Sequence, residues 1–294
     1  MSSQGEMLLE RSRFADFFAL TKPELTFLSV ITALGGLYLG AGGTFPAVLM
    51  LHTLFGTALV GAGAGALNQY IEREYDANMR RTENRPLPAG RMAPWEVLLF
   101  GSSIAILGVL QLTLFANVLT GSLAVVTLVT YLFLYTPLKR ITWVSTIVGG
   151  IPGALPPVIG WTAIRNEISI EAGVLFAILF FWQMPHFFSL AWMYRKDYER
   201  AGFPMLAVLD RNGLRTSRQI LIYCTALIAV SVLLSFYANL GMVYIIGSLS
   251  VGIAFLIFGL QLWVSRSNAS ARRLFYASLI YLPALLFFMV IDTL

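Results

Sequence analysis

Nine long apolar windows follow one another along the chain, and they restrict its possible folds more than any other feature of the sequence. Each is about 18 to 23 residues long, which is enough to cross a hydrocarbon core about 30 Å thick. Only helices and closed barrels satisfy every backbone hydrogen bond in lipid, and these windows are continuous rather than alternating. The sequence therefore predicts an all-α, polytopic membrane protein with nine transmembrane helices. The windows lie near Leu25–Gly43, Phe45–Leu67, Val97–Phe115, Val118–Leu134, Trp143–Ala163, Ala172–Trp192, Ile220–Tyr237, Met242–Val264 and Leu274–Ile291.

Composition excludes some classes of function. Hydrophobic residues make up 57% of the chain and charged residues only 12%, which lies outside the range of soluble domains. The single cysteine, Cys224, lies inside an apolar window, so neither an intramolecular disulfide nor a cysteine metal cluster is expected. No apolar segment of signal-peptide type precedes the first window, so we expect no cleaved leader.

Basic residues are distributed unevenly among the connections between windows. Apart from Arg165, all of the 20 lysines and arginines lie before the first window or after the second, fourth, sixth and eighth windows. The positive-inside rule assigns these segments to the cytoplasm. We therefore predict a cytoplasmic N-terminal segment over residues 1–24, a single nine-helix domain over residues 25–294, and a C-terminus outside. Topology explains the net charge of +5, so nucleic acid is not expected as a partner.

Two connections on the predicted cytoplasmic side are long and rich in charge. They cover roughly Asn68–Glu96 and Met193–Gln219, whereas outside connections such as Ala238–Gly241 are only a few residues long. Loops held by a rigid scaffold commonly carry function, so we expect the functional site in these two segments. They lie four helices apart, which indicates two four-helix halves plus a ninth helix.

The first charged connection begins with a regular pattern of oxygen-bearing side chains. Asn68, Glu72 and Asp76 recur every four residues, which on a helix places them in one stripe about 12 Å long. Magnesium favours one or two carboxylates and keeps phosphate oxygens in its shell, so the stripe fits a magnesium–diphosphate site. Arginines just downstream could neutralise phosphate charge. An ordinary solvated helix face, with Arg73 and Glu74 interleaved, is the alternative.

The second charged connection follows a histidine in the sixth window. Asp197 lies at the predicted membrane exit, where it could face the stripe as a further metal contact. His186 lies eleven residues earlier, about 16 Å deeper along a helix. An ionisable residue in a span suggests a functional site, and imidazole is a usual ligand of haem iron. The alternative is a structural histidine satisfied by a neighbouring carbonyl, and His52 in the second window is interpreted as structural.

A shorter basic element follows the fourth window. Lys139 and Arg140 could form a cationic clamp or serve only as topological anchors at the membrane edge. The glycines and prolines between Gly149 and Trp161 permit close helix approach or a break that lines a cavity. Both interpretations of each feature are compatible with the sequence.

These stretches resemble the UbiA family of intramembrane prenyltransferases, and within it the haem-modifying branch. The resemblance is carried by residues 68–88, 135–161 and 185–205, and residues 21–23 agree with it. The continuation Met79-Arg-Arg-Thr and the Pro185-His-Phe segment with its later Asp197-Tyr pair are typical of the haem-modifying branch. Quinone-type members carry a second carboxylate four residues before Asp197, where this sequence has Met193.

The resemblance implies a reaction and its participants. The donor is farnesyl diphosphate, the acceptor is haem B, the cofactor is Mg²⁺ and the environment is a lipid bilayer. The protein is expected in a bacterial inner membrane with its site facing the cytoplasm, and a downstream haem-modifying enzyme or terminal oxidase is the expected partner. An aromatic or quinone-precursor acceptor is the alternative. A transporter would instead place ionisable residues near the bilayer midplane, whereas the carboxylates here lie at the rim.

The resemblance also assigns roles to residues. His186 becomes a haem-binding residue. Catalysis and metal binding fall to four oxygen-bearing side chains, Asn68, Glu72, Asp76 and Asp197. The diphosphate would be bound by five basic side chains, Arg81, Arg85, Lys139, Arg140 and Lys196.

Overall fold

The structure is a computed structural model that describes residues 12–42, 44 and 46–293. Over these residues nine segments are helical, long and apolar enough to cross a membrane, which confirms the predicted all-α, nine-span fold. The predicted bounds Gly43 and Phe45, and residues 1–11 of the N-terminal segment, lie outside the described part. The helices are α1 Arg13–Leu20, α2 Pro23–Gly40, α3 Ala47–Asp76, α4 Pro94–Phe115, α5 Val118–Val129, α6 Thr136–Leu138, α7 Ser145–Ala154, α8 Pro156–Arg165, α9 Ile170–Met193, α10 Arg195–Arg200, α11 Leu206–Leu209, α12 Leu214–Tyr237, α13 Met242–Ser265 and α14 Asn268–Thr293.

Two of the nine spans are not continuous α-helices. The fourth span changes from α5 into a π-helical segment, Thr130–Tyr135, before α6. Such segments are rare and often occur at functional sites. The fifth span breaks at Leu155 into α7 and α8, because prolines begin α8 and interrupt the helical hydrogen bonds. The break predicted from the glycine and proline run is therefore present.

The helices form two groups. Helices α9, α12, α13 and α14 contact one another in a closed cycle, while α2, α3 and α5 contact α8 and α4 packs on α3 and α5. Helices α7 and α8 also contact α9 and so join the groups. The closed four-helix group is made by the last four spans, so in packing terms the fifth span, rather than the ninth, is the additional helix.

Close approach of α2 and α8 depends on glycine. A Cβ atom at Gly36 would lie 1.9 Å from the carbonyl oxygen of Pro157, and one at Gly160 would lie 1.8 Å from that of Ala33. Since both obstacles are backbone atoms, a side chain would force the helices apart. The predicted close helix approach is thus confirmed.

Charged connections meet at one end of the bundle. Arg13 pairs with Glu96 at the start of α4, and Arg91 donates from Nε to Asp16 of α1 at 3.0 Å. Arg195 donates to the side-chain oxygen of Asn268 at 2.8 Å, which links α10 to the start of α14. The basic connections therefore share one end, as the charge distribution predicts. Their assignment to the cytoplasmic side remains a prediction.

Candidate active site

Helix α3 continues past the predicted end of the apolar window and carries the whole stripe. Asn68, Glu72 and Asp76 are only 2%, 2% and 1% exposed. A solvated helix face would leave such groups in water, as it leaves Glu74, whose side chain is 80% exposed. Burial of two carboxylates is costly unless they are paired, so the surrounding residues must supply positive charge.

Each member of the stripe contacts a different cation from a different part of the chain. Lys22, between α1 and α2, donates from Nζ to Oδ1 of Asn68 at 2.6 Å. Lys139 donates from Nζ to the two oxygens of Glu72 at 2.7 and 3.0 Å. These contacts bring the N-terminal segment and the end of the fourth span against the same face of α3.

Asp76 differs from the other two because one of its oxygens is left open. Arg85 donates from Nη1 to Oδ2 of Asp76 at 2.6 Å, and Thr82 donates from its hydroxyl to the Asp76 backbone carbonyl at 2.8 Å. In the described part of the chain, no hydrogen-bond donor reaches the buried Oδ1 atom of Asp76. A buried oxygen without a partner is unfavourable, so Oδ1 is available to a further positive ligand.

The environment shifts the two lysines in opposite directions. Burial and the nearby Arg85 guanidinium lower the pKa of Lys22 to about 7. Burial alone would also lower the pKa of Lys139, but the Glu72 carboxylate beside it outweighs burial and raises that pKa above its ordinary value. Lys139 therefore stays protonated near neutral pH, whereas Lys22 is only partly protonated there.

Aromatic rings border the site. The Nζ atom of Lys139 lies 5.4 Å from the ring centre of Tyr135 and 5.3 Å from that of Phe203. Phe203 lies 5.5 Å from Tyr75 of α3, measured between ring centres. Rings at this distance favour a cation through their π faces.

The remaining arginines lie around α3 rather than on the stripe. Arg140 donates from Nη2 to the carbonyl of Ile71 at 2.9 Å and stacks 4.1 Å above the ring of Tyr75. Arg81 is exposed and lies 3.5 Å from the hydroxyl of Tyr198. Their assignment to the diphosphate remains a prediction.

The second charged segment contributes Tyr198 to the contact with Arg81 of the first charged connection. Asp197 of α10 pairs with Arg200, one turn away on the same short helix. Lys196 and Asp197 line a cavity of about 170 Å³ together with Asn268. No set of three His, Cys, Asp or Glu side chains in the described residues is arranged to hold a metal ion. The grouping of Asp197 with the stripe therefore stays a prediction, and Tyr198 is the α10 residue that contacts the first charged connection.

His186 lies inside the second helix group, 7% exposed. Its ring stacks between Trp182 and Phe275, with ring centres 5.2 and 4.7 Å away, and its Nδ1 lies 2.7 Å from the hydroxyl oxygen of Ser278. That hydroxyl donates its own proton to the carbonyl of Phe275 at 2.5 Å. Nδ1 must therefore be the donor to Ser278, which leaves the lone pair on Nε2.

His52 is held by contacts far from the stripe. Its Nδ1 lies 2.6 Å from Nε2 of Gln111 on α4, and its ring stacks on Phe115 with centres 4.3 Å apart. These contacts give His52 partners within the bundle, and its interpretation as a structural residue stays a prediction.

Three residues of the site were not predicted: Lys22, Tyr198 and Thr136, whose hydroxyl oxygen accepts a hydrogen bond from Nδ2 of Asn68 at 3.2 Å. Lys22 directly precedes Pro23 and has a φ of 46°, in the left-handed region that costs energy for a residue with a side chain. A lysine before a proline at the membrane edge was the available signal. Thr136 and Tyr198 carry no charge, and nothing in their spacing distinguishes them from neighbouring residues.

The fold and the site define a class of protein: a membrane-embedded enzyme in which buried carboxylates and cations face one another at one end of a helix bundle. Residues 29–289 match the model of the UbiA prenyltransferase family, and the chain belongs to this family. It is accordingly a prenyltransferase.

Two curated relatives are similar over nearly their whole length. The chain is 44% identical over 286 residues to the protoheme IX farnesyltransferase of Solibacter usitatus, covering 94% of this chain and 98% of the relative. It is 43% identical to the protein of the same name from Koribacter versatilis, and the match covers 96% of this chain and 94% of that relative.

Solved structures share the fold at low identity. A digeranylgeranylglyceryl phosphate synthase superposes with a TM-score of 0.79 at 16% identity, covering 95% of this chain and 98% of that one. A UbiA homologue from Archaeoglobus fulgidus, bound to DMAPP and Mg²⁺, gives a TM-score of 0.64 at 16% identity. The match covers 95% of this chain and 100% of that one. At this identity the likeness supports the fold alone.

Proposed function

We propose that this protein transfers the farnesyl group of farnesyl diphosphate to a vinyl group of haem B and, with addition of water, forms haem O and diphosphate. The observation that carries the proposal is the identity of 44% over nearly the whole chain to a relative named protoheme IX farnesyltransferase. The buried stripe of α3, with a cation at each member, supports the diphosphate half of the reaction.

The stripe fits a magnesium ion. All its donors are oxygens, two are carboxylates, and Oδ1 of Asp76 is buried without a hydrogen-bond partner in the described residues. Hard cations prefer this donor set. Asn68, Glu72 and Asp76 would hold the ion, with Asp197 as the predicted contact from α10. When bound, magnesium would supply positive charge to the diphosphate oxygens and so stabilise the leaving group.

Basic residues of the chain share this electrostatic task. Lys139 and Arg85 already lie at the stripe, at 2.7 Å from Glu72 and 2.6 Å from Asp76. Fixed cations that face the developing charge stabilise it without reorganising during the reaction. Arg81, Arg140 and Lys196 are proposed to extend the cationic surface around the diphosphate.

The proposed reaction requires no nucleophile from the protein. The bond between C1 of the farnesyl group and the diphosphate oxygen breaks, and its electron pair leaves with diphosphate. The π electrons of the vinyl group form the new carbon–carbon bond, and water adds to the remaining vinyl carbon with loss of a proton. The aromatic border at Tyr135 favours the allylic cation, and the surrounding apolar helices restrict premature attack by water.

His186 is proposed to bind the acceptor. Its hydrogen bond to Ser278 selects the tautomer with a lone pair on Nε2, which is the form that ligates a metal. The rings of Trp182 and Phe275 hold the imidazole in orientation. The same contacts would also satisfy a purely structural histidine, so the test below includes this residue.

The proposed location is the inner membrane of a bacterium, with the site facing the cytoplasm. The basic connections that the charge rule assigns to the cytoplasm lie at the same end of the bundle as the stripe. A downstream haem-modifying enzyme or terminal oxidase would receive the product, since haem O is largely apolar and remains in the bilayer.

The test is mass spectrometry of the pigments formed when membranes containing the protein receive haem B, farnesyl diphosphate and Mg²⁺. We expect a farnesylated haem with the intact protein, none with Asp76→Ala, and a normal amount with Glu74→Ala, an exposed carboxylate on the same helix. His186→Ala should lose the product and weaken haem binding. Diphosphate release with an aromatic acceptor, and no modified haem, would support the alternative acceptor and overturn the haem assignment.

A further inference from the structure

The amide of Asn68 lies in a directional chain of hydrogen bonds. On one side, Lys22 donates to Oδ1 at 2.6 Å, and in its protonated form this amino group can only donate. On the other side, Nδ2 donates to the hydroxyl oxygen of Thr136 at 3.2 Å. The two ends of the amide thus have partners of opposite kind.

The hydroxyl of Thr136 is free to accept because its own proton is already used. It donates to the carbonyl oxygen of Tyr131 at 2.8 Å. With that proton committed, the oxygen presents a lone pair to Nδ2 of Asn68. Rotation of the Asn68 amide by 180° would place its NH₂ group against the Lys22 ammonium and its oxygen against that lone pair, so both hydrogen bonds would be lost.

The π-helical segment holds Thr136 in place. The Tyr131 carbonyl also accepts the backbone N–H of Thr136, five residues later, in the hydrogen-bond pattern of a π-helix. Thr136 is 0% exposed, so its hydroxyl has no competing contact with water. Both the position and the direction of the hydroxyl are therefore fixed by the fourth span.

We propose that Thr136 is a positioning residue that sets the orientation of the Asn68 amide, so that Oδ1 rather than Nδ2 faces the metal–diphosphate site. This inference rests on the proposed function. An asparagine contributes to a cation site only through its oxygen, because its NH₂ group is a donor. The hydroxyl of Thr136 thereby holds the amide from the side opposite Lys22.

The test compares Thr136→Val, which keeps the shape but removes the hydroxyl, with Thr136→Ser, which keeps the hydroxyl. The measurement is the dissociation constant of Mn²⁺, by electron paramagnetic resonance, for the purified protein with inorganic diphosphate and no haem. Loss of one hydrogen bond to a ligand corresponds to about a fivefold to tenfold weaker affinity. We expect that change for Thr136→Val and an affinity near that of the wild type for Thr136→Ser.

Asn68→Ala separates a positioning role from a structural one. In that background Thr136→Val should change the Mn²⁺ dissociation constant no further, because the residue through which it acts is gone. An equal loss in both backgrounds, or no loss in the wild-type background, would overturn the proposal. Thermal unfolding checks that each variant is folded, and Thr136→Cys, whose thiol is a weaker acceptor, replaces Thr136→Val if the latter does not fold.

The outcome also separates this inference from the proposed function. If the wild-type protein binds Mn²⁺ with diphosphate and Thr136→Val binds it equally well, only the role of Thr136 is wrong. If the wild-type protein does not bind Mn²⁺ with diphosphate, the proposed metal–diphosphate site is wrong, and the inference is overturned with it.

Discussion

Removal of Lys139 should show how far the fold itself depends on the charges of its site. The side chain of Glu72 is 3% exposed, and its carboxylate accepts two close hydrogen bonds from Lys139, whose own side chain is 13% exposed. Lys139→Met keeps most of the aliphatic stem and removes the ammonium. A buried carboxylate would then remain without its partner.

The expected loss follows from measurements on buried ion pairs. Removal of one partner commonly destabilises a protein by about 3–5 kcal/mol, because the other charge stays buried and uncompensated. For a chain of this size, a loss of that order lowers the melting temperature by about 10 °C. Replacement of both partners by neutral residues of similar shape costs much less, so Glu72→Gln combined with Lys139→Met should recover most of the loss.

Thermal unfolding of the detergent-solubilised protein, without magnesium or diphosphate, is the assay. Lys196→Met is the matched control, because it removes the same ammonium group from an exposed position on α10. It should change the unfolding free energy by no more than about 0.5 kcal/mol.

Two results would refute the reasoning. If Lys139→Met and Lys196→Met melted at the same temperature, Glu72 would not depend on Lys139. If the double variant were no more stable than Lys139→Met, the cause would be lost packing of the lysine stem rather than an unpaired carboxylate.

Two further predictions concern the scaffold. Gly160→Ala should destabilise the bundle by about 1–3 kcal/mol, because its Cβ would lie 1.8 Å from the carbonyl of Ala33. Gly173→Ala, with no atom within 4 Å of its Cβ, should be neutral or slightly stabilising in the same thermal assay, and equal losses at both glycines would contradict the packing argument. Asp16→Asn should weaken the contact with Arg91, now 3.0 Å, and speed amide hydrogen exchange in α1; unchanged exchange there would show that other contacts hold that helix.

The number and type of spans were predictable because they depend on local composition. Hydrophobic length decides whether a segment crosses lipid, and a four-residue spacing on a helix fixes a common face wherever the helix lies. Asn68, Glu72 and Asp76 were therefore found without knowledge of any tertiary contact. The break in the fifth span had a signal in its glycines and prolines, whereas the π-helical turn in the fourth span was harder, since it leaves no reliable signal in the residue types.

The tertiary structure decided which basic residue contacts which member of the stripe. Lys22 reaches Asn68 across 46 residues of sequence, and Lys139 reaches Glu72 across 67. Sequence placed Lys139 among several basic residues at the membrane edge, but it did not separate Lys139 from Arg140. In the structure Lys139 contacts Glu72, whereas Arg140 contacts the carbonyl of Ile71 and the ring of Tyr75.

The sequence alone thus determined nine apolar helices, their charged end and the common face of the stripe on α3, because hydrophobicity and helical periodicity act over a few neighbouring residues. Only the tertiary structure decided which cation meets which oxygen, that Tyr198 contacts Arg81 of the first charged connection, and that Thr136 faces Asn68. These contacts depend on how distant helices pack and rotate against each other, and no local pattern encodes that rotation.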